Sequence, residues 1–475
     1  MSNNFFDSIL GAVSSNRPAA GSPLSQDPPS WEQLQKSCSG TEFGKAWNGW
    51  QTEWAKGAGP PHTDAKLRLF GAREEDVRLT LYRDTAAWCP YCKQVWMMLE
   101  EKQIPYRVVK INMRSYGEKP ASFLNKVPNG LLPAIELDGR LMTESLAIMQ
   151  TFEVAFPETK PMLPDRSSPE FERAVNLLQL ERELFGRWCQ LVFRPSPPNS
   201  GIRQELDRVL MKVDSELAAT PGPWFLGGDG PGLVDLTYVP HLERMAASCA
   251  YWKGFQIRGN PRYANINAWF EALELRPSYM ATKSDFYTHV TDIPPQYGDG
   301  HFSQERETTG FRRRIEGVDG SWHLPLPPLS RSDSLEPVLA ENDRGDECFR
   351  HEAALKLASN GAAVAKFACR GAGRSSGWSL LPGRAPLSDP KAQPNEAFIP
   401  AVESILRHVT ATMLDGSALN EAASAAFSGS KDGTPEMVRC LEYLRDRVGV
   451  PRDMSYPAAL QLRAHLNWAI DNIKS

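Results

Sequence analysis

The sequence predicts a small α/β domain with a mixed sheet, then an all-helical domain, then a further, mainly helical module. Three observations predict this. A short apolar alternation runs into Ala87-Trp88-Cys89-Pro90-Tyr91-Cys92-Lys93, two cysteines spaced as on the first turn of a helix. Two more strand patterns and a hairpin signal follow within about eighty residues. From Pro164 onward the apolar residues recur at helical spacing.

Residues 1–76 read as an extension rich in Pro, Gly and Ser, partly disordered, with one Trp-rich helix. In that helix Trp47, Trp50 and Trp54 fall at i, i+3 and i+7 and share a face, so it is expected to dock on a neighbouring domain. Residues 77–157 form the α/β domain. Val77, Leu79 and Leu81 alternate with polar residues as a strand. Lys93 to Gln103 has the spacing of a packed helix, and Tyr106 to Ile111 reads as a second strand. Leu132 to Leu137 and Arg140 to Met142 flank Asp138-Gly139, a strong hairpin turn pair, and a helix opens near Thr143-Glu144-Ser145. A helix crossover between parallel strands, then a hairpin, makes a mixed sheet.

Residues 164–297 read as helical throughout. One apolar face is Phe171, Val175, Leu178 and Phe185; another is Ile202, Leu206, Leu210 and Val213. Asp235, three residues after Gly232, is spaced as a capping pair that lacks the usual hydroxyl. Residues 298–475 begin with polar, Pro-rich sequence and then show helical patterns at Glu352–Cys369, Phe398–Met413, Pro435–Val448 and Ala458–Ile473. Arg312, Arg313 and Arg314 read as a solvated surface cluster.

A length of 475 residues suggests about three domains. A net charge of −4, with 23% charged residues, gives no reason to expect nucleic acid or an acidic membrane as a partner. No apolar run approaches the roughly 20 residues of a membrane helix. The eight scattered cysteines fit a reducing compartment better than a disulfide scaffold. No positive charge precedes the short apolar stretch near the N-terminus, so a secretory signal is not expected. Cytoplasm is the default, with organelle targeting left open.

Cys89 and Cys92 admit three readings: a redox pair, part of a zinc site, or inert buried thiols. Zinc needs further ligands, and no second CxxC or His cluster lies nearby. A strand-to-helix junction favours redox chemistry. Cys89 falls at a helix N-terminus, where unpaired N–H groups and the helix dipole favour thiolate. Pro90 costs nothing in the first turn, because its missing N–H had no helical partner. Cys92, one turn on, can resolve a mixed disulfide.

Two segments are candidates for a binding site beside the pair, although each alone also reads as ordinary structure, an edge strand beginning with proline and a helix cap. Pro133, starting a strand after a loop, is a candidate for a cis bond that turns the Leu132 N–H and C=O toward an extended peptide. Glu144-Ser145 opens a helix whose N-terminal amides can receive a carboxylate.

CPYC, then VPNGLLPAIELDGR, then TES, resembles the thioredoxin-like N-terminal domain of cysteine-type glutathione transferases, the omega and lambda classes; CPYC is also the glutaredoxin signature. The helical region, with Trp224-Phe-Leu-Gly-Gly and Asp235, resembles the second domain of that superfamily, although Gly232 replaces its usual Ser or Thr. The resemblance implies a thioredoxin-like domain, an all-α transferase domain, and glutathione as co-substrate. Cys89 would form the mixed disulfide. Leu132 would pair with the cysteinyl part, next to the cis residue Pro133, and Glu144 and Ser145 would hold the γ-glutamyl group. Lys126 would contact the tripeptide. Trp88, Phe185 and Trp188 are candidate linings for a second substrate between the domains.

The leading expectation is a glutathione-dependent thiol transferase that reduces mixed disulfides or small oxidised molecules. Conjugation to electrophiles, a scaffold role and iron–sulfur assembly are the alternatives. The expected partners are glutathione and a small-molecule or glutathionylated protein substrate, with homodimerisation left open.

Overall fold

The computed structural model describes residues 21–113, 115–195, 201–330, 334–374, 387 and 389–475. The serine-rich start of the chain and part of the Pro-rich stretch near residue 330 lie outside the described residues.

Two helices open the described chain, α1 (Trp31–Gly40) and α2 (Glu42–Ala55), where the sequence suggested one. Ser30 and Gln33 cap α1 reciprocally, and Thr41 caps α2. The second cap, at Thr41, starts the Trp-rich helix, and the first, at Ser30, starts a helix ahead of it.

The sheet has five strands in the order β1-β3-β2-β4-β5. They are β1 (Leu67–Arg68), β2 (Leu79–Asp84), β3 (Tyr106–Ile111), β4 (Ala134–Leu137) and β5 (Arg140–Thr143). β2 and β3 are parallel, with Leu81 opposite Val108; β4 runs antiparallel to β2, and β5 to β4. The two-residue β1 adds an antiparallel edge to β3 from ahead of residue 77. Asp138 and Gly139 both take positive φ, as the tight β4–β5 turn requires. Three helices belong to this unit: α3 (Pro90–Lys102), α4 (Ala121–Lys126) and α5 (Ser145–Ala155). Leu79 and Leu81 face the core that α3 and α5 share, while Tyr82 and Ala134 face Phe123 of α4. Strand alternation thus sorts one sheet into two apolar faces.

The second unit holds α6 (Pro169–Phe193), α7 (Ile202–Ala218), α8 (Leu233–Lys253), α9 (Ala264–Glu274), α10 (Pro277–Met280), α11 (Phe286–Asp292) and α12 (Pro294–Tyr297). α8 is its axis and is buried along nearly its whole length. Leu206, Leu210 and Val213 are buried as expected. On α6 the buried stripe is Leu177, Leu184, Trp188 and Leu191, while Val175 is 38% exposed. The stripe is rotated from the expected one because α7 and α8 both pack on that side. Asp235 caps α8 without help from a hydroxyl. Its carboxylate accepts from Gly232 N (2.9 Å), Phe225 N (3.2 Å) and Trp269 Nε1 (2.9 Å).

The remaining helices are α13 (Arg306–Ile315), α14 (Asp346–Ser359), α15 (Gly361–Ala368), α16 (Ile399–Asp415), α17 (Glu421–Ala425), α18 (Thr434–Arg445) and α19 (Tyr456–Lys474). α13 packs back on α8, with the three arginines exposed. α14, α16, α18 and α19 form a separate bundle. Leu34, Cys38, Trp47 and Trp54 of the first two helices share its core with Val402, Val409, Leu441 and Leu466. The Trp-rich helix therefore docks on the C-terminal module, where Lys356 lies over the Trp47 ring at 3.5 Å.

Candidate functional site

Asp84 ends β2, and the chain turns through residues 85–88 to place Cys89 at the N-cap of α3, with Pro90 at the first helical position. Cys89 is 7% exposed and Cys92 only 1%. Burial, reinforced by hydrogen bonding with Cys89, pushes the Cys92 thiol well above its ordinary range. The two sulfurs are thus inequivalent: Cys89 is the more accessible, and Cys92 is held as a neutral thiol behind it.

The Cys89 thiol points at the Leu132 carbonyl oxygen, 3.8 Å away, and the Leu132–Pro133 bond is cis as expected. Ser145 is the first residue of α5, and its hydroxyl donates to Gln94 Oε1 at 2.8 Å. Gln94 in turn donates to the Thr237 carbonyl, tying α3, α5 and α8 together. Glu144, exposed, sits at φ 69°, a left-handed conformation unusual for a side chain of this kind. Cys89, Cys92, Leu132 and Pro133 come together at one end of the sheet, and Ser145 joins them across Gln94.

Lys126 is engaged elsewhere. Its ammonium donates to Glu136 Oε2 (2.5 Å) and to the Tyr82 hydroxyl (3.0 Å), and it is exposed. A second lysine, Lys119, donates to the Gly130 carbonyl at 2.5 Å, in the loop that leads to Leu132. Burial lowers the Lys119 ammonium from its usual range, while Cys89, Cys92 and Asp84 act in the opposite direction. Nothing in the spacing of Lys119 marks it, because the loop before α4 decides where it lands.

Of the three candidate linings, Trp88 (1% exposed) and Trp188 (0%) are core residues. Trp188 donates to Ser248 Oγ at 2.8 Å. Phe185 is half-buried, against His241 (ring centroids 4.9 Å apart) and Tyr297 (5.9 Å). With Tyr91 and Arg182, which stands over the Phe185 ring at 4.8 Å, these residues make an aromatic wall beside the cysteine pair. His241 Nδ1 meets Glu181 at 2.6 Å, and burial lowers the imidazole below its usual range.

Asp84, Cys89 and Cys92 present one oxygen and two sulfurs within 4.8 Å of one another. That is three donors of the four a structural zinc takes, and Asp84 Oδ2 already accepts from Trp88 N at 2.7 Å. Cavity size does not mark the site. Two cavities of about 350 Å³ lie at the junctions with the C-terminal module, and Cys89 lines neither.

Two family models match this chain: glutathione S-transferase, N-terminal domain, over residues 85–160, and glutathione S-transferase, C-terminal domain, over residues 179–272. A probable cytosolic glutathione S-transferase DHAR1 from Oryza sativa subsp. japonica is 30% identical over 203 residues, which are 42% of this chain and 86% of the relative. The chain belongs to the glutathione transferase family. Glutathione S-transferase omega-1 from Mus musculus is 27% identical over 197 residues, covering 40% of this chain and 73% of that protein. Among solved structures, glutathione transferase Omega 3C from Trametes versicolor aligns at 30% identity and a TM-score of 0.38, over 44% of this chain and 90% of its own. This glutathione transferase therefore carries the family's two domains within a chain more than twice their length, and its relatives are glutathione-dependent enzymes.

Proposed function

We propose that this glutathione transferase is a thiol transferase working through a mixed disulfide at Cys89. One observation carries the reading: a cysteine at a helix N-terminus whose sulfur lies beside the Leu132 carbonyl at the start of β4. Glutathione is the co-substrate. The backbone of Leu132 receives its cysteinyl part, and Glu144 with the α5 N-terminus, including Ser145, receives the γ-glutamyl end. An exposed carboxylate suits an ammonium, and helix N-terminal amides suit a carboxylate. Lys119 is better placed than Lys126 to meet a carboxylate of the tripeptide.

The steps balance without a further reagent. The Cys89 thiolate attacks the glutathionyl sulfur of a mixed disulfide R–S–SG, forming Cys89–S–SG and releasing RS⁻, which takes up a proton. A second glutathione, as thiolate, attacks that adduct, leaving GSSG and free Cys89. Cys92 offers an internal route: its thiol attacks the Cys89 sulfur, its proton passing to the departing glutathione thiolate, and leaves a Cys89–Cys92 disulfide, which two further glutathiones reduce. A small oxidised substrate such as dehydroascorbate would be reduced by the same thiol pair, ending in GSSG. The domains lie at residues 77–157 and 164–297 in this reading, and the protein works in the cytoplasm; no helix of the described residues is long and apolar enough to cross a membrane.

The test is Cys89→Ser, assayed on a glutathionylated disulfide and on a halogenated aromatic. Loss of the first activity supports the reading. Full retention of it refutes the reading, and a conjugating activity that survives or rises in the variant favours transfer to electrophiles instead.

A further inference from the structure

Trp88 sits immediately before Cys89, and its side chain is held by a part of the chain more than 350 residues away. Its indole Nε1 donates to the Val450 carbonyl at 2.8 Å. The same oxygen accepts from Ser284 Oγ at 2.7 Å, and Val450 N donates to Thr288 Oγ1 at 3.1 Å. The Val450 peptide is thus pinned to the second domain, and it pins Trp88 in turn. The Arg452 guanidinium lies over the indole at 4.8 Å, aimed by Asp453 (2.8 and 2.7 Å) and the Arg447 carbonyl (2.7 Å). Gly449 completes the grip, because a Cβ there would come within 2.4 Å of the ring.

The other polar groups of Trp88 are also engaged. Its N–H donates to Asp84 Oδ2, and its carbonyl accepts from Arg244 Nη2. Tyr116 packs on the indole with centroids 5.1 Å apart. The gripping loop is itself fixed, since Arg463 holds the Val448 carbonyl at 2.8 Å and pairs with Asp285 at 2.6 Å, both side chains fully buried. One peptide separates this clamped indole from the N-cap sulfur. A change in the grip therefore moves Cys89 relative to Leu132, and misplacement of about 1 Å at a reacting atom costs on the order of a hundredfold in rate.

We infer that residues 449–452 of the C-terminal module are positioning residues for Cys89, acting through Trp88. This rests on the reading that Cys89 is the nucleophile. It gives the module, which lies beyond the family's two domains, a part in the reaction: it sets where the sulfur stands, while the tripeptide site on Leu132, Glu144 and Ser145 is left as it was.

The experiment compares the full-length protein with Trp88→Phe, Arg452→Ala, Arg452→Lys, Ile405→Val and Cys89→Ser. It measures kcat and KM for glutathione in thiol transfer, and the thermal midpoint of each variant. Ile405 is a buried residue of the module's own bundle and loosens that bundle away from the clamp. Trp88→Phe and Arg452→Ala are expected to lower kcat about tenfold with KM for glutathione unchanged. Arg452→Lys, which keeps a cation over the ring, is expected to restore most of the loss. Wild-type kcat in both Trp88→Phe and Arg452→Ala, with Cys89→Ser inactive, overturns the clamp and leaves the nucleophile standing. An active Cys89→Ser overturns the nucleophile itself. Losses that merely follow thermal stability, with Ile405→Val on the same line, also overturn the clamp. If Trp88→Phe does not fold, the Arg452 pair decides alone.

Discussion

The Cys89 sulfur lies 3.8 Å from the Leu132 carbonyl oxygen, so the residue that opens α3 faces the residue that precedes β4. Their separation in sequence is closed by the antiparallel pairing of β4 with β2. Cys92 stands behind this pair, fully buried and with its thiol held neutral. Cys92→Ser is therefore expected to leave formation of the Cys89 adduct intact and to prolong its life. Intact-mass measurements over time after a pulse of oxidised glutathione follow both. An adduct that fails to form in Cys92→Ser contradicts the assigned order of attack.

Lys119 and Lys126 part company in the structure. Lys126 is committed to Glu136 and Tyr82, while Lys119 holds the Gly130 carbonyl in the loop that leads to Leu132. Lys119→Ala is expected to raise KM for glutathione about tenfold with a smaller change in kcat, the mark of lost uniform binding. Lys126→Ala is expected to have the lesser effect. Steady-state kinetics with glutathione as the varied substrate check the ranking.

Lys93 crosses from α3 to the second domain and meets Glu243 at 2.5 Å, both side chains buried. Burial brings its ammonium down to about 8. Lys93→Met removes the shorter of the two cationic contacts of Glu243, leaving Arg244 Nη1 at 3.3 Å, and is expected to cost about 1–3 kcal/mol of stability, read from the urea midpoint.

Asp235 accepts three N–H donors at a fully buried position. Asp235→Ala leaves Gly232 N, Phe225 N and Trp269 Nε1 without partners and is expected to cost about 3 kcal/mol or more. Denaturant unfolding measures it. A loss below about 1 kcal/mol would mean that water replaces the carboxylate.

Asp292, whose carboxylate accepts from the hydroxyl of the Tyr116 that packs on Trp88, is fully buried, and that burial raises its carboxyl to about 7. An acid with a raised folded pKa holds its proton more tightly folded than unfolded. Its contribution is therefore complete below the ordinary carboxyl range near 3.8 and is lost as pH rises through about 7. Stability is expected to fall as pH rises from about 4 to about 7, by about 1.4 kcal/mol per pH unit at most from this group. Urea midpoints against pH should lose that slope in Asp292→Asn.

Much of the site was legible because local chemistry determines it. A CxxC with proline at the first helical turn, a proline opening a strand, and Asp138-Gly139 between two apolar runs each act over a few residues. The structure places all three as read. What escaped depends on tertiary context. Whether α6 buries Leu177 or Val175 is decided by the placement of α7 and α8, not by the helix's own periodicity. Lys119 sits in an irregular loop, and Trp88 shows its role only when residue 450 is brought beside it. Trp88 and Trp188 are candidate linings in sequence, with core the commoner role for such residues, and they are core, since a large aromatic near a site looks alike in both roles until its neighbours are known. The shared core of the first two helices and the C-terminal bundle has the same cause: neither segment covers its apolar face alone.

The most direct measurement of the central claim is peptide mapping by mass spectrometry after incubation of the full-length protein with oxidised glutathione. Either a glutathionyl group on Cys89 or a Cys89–Cys92 disulfide formed from that adduct is expected, both disappearing on addition of reduced glutathione and absent from Cys89→Ser. Unmodified Cys89, with glutathione found instead on Cys189 or Cys348, would contradict the account.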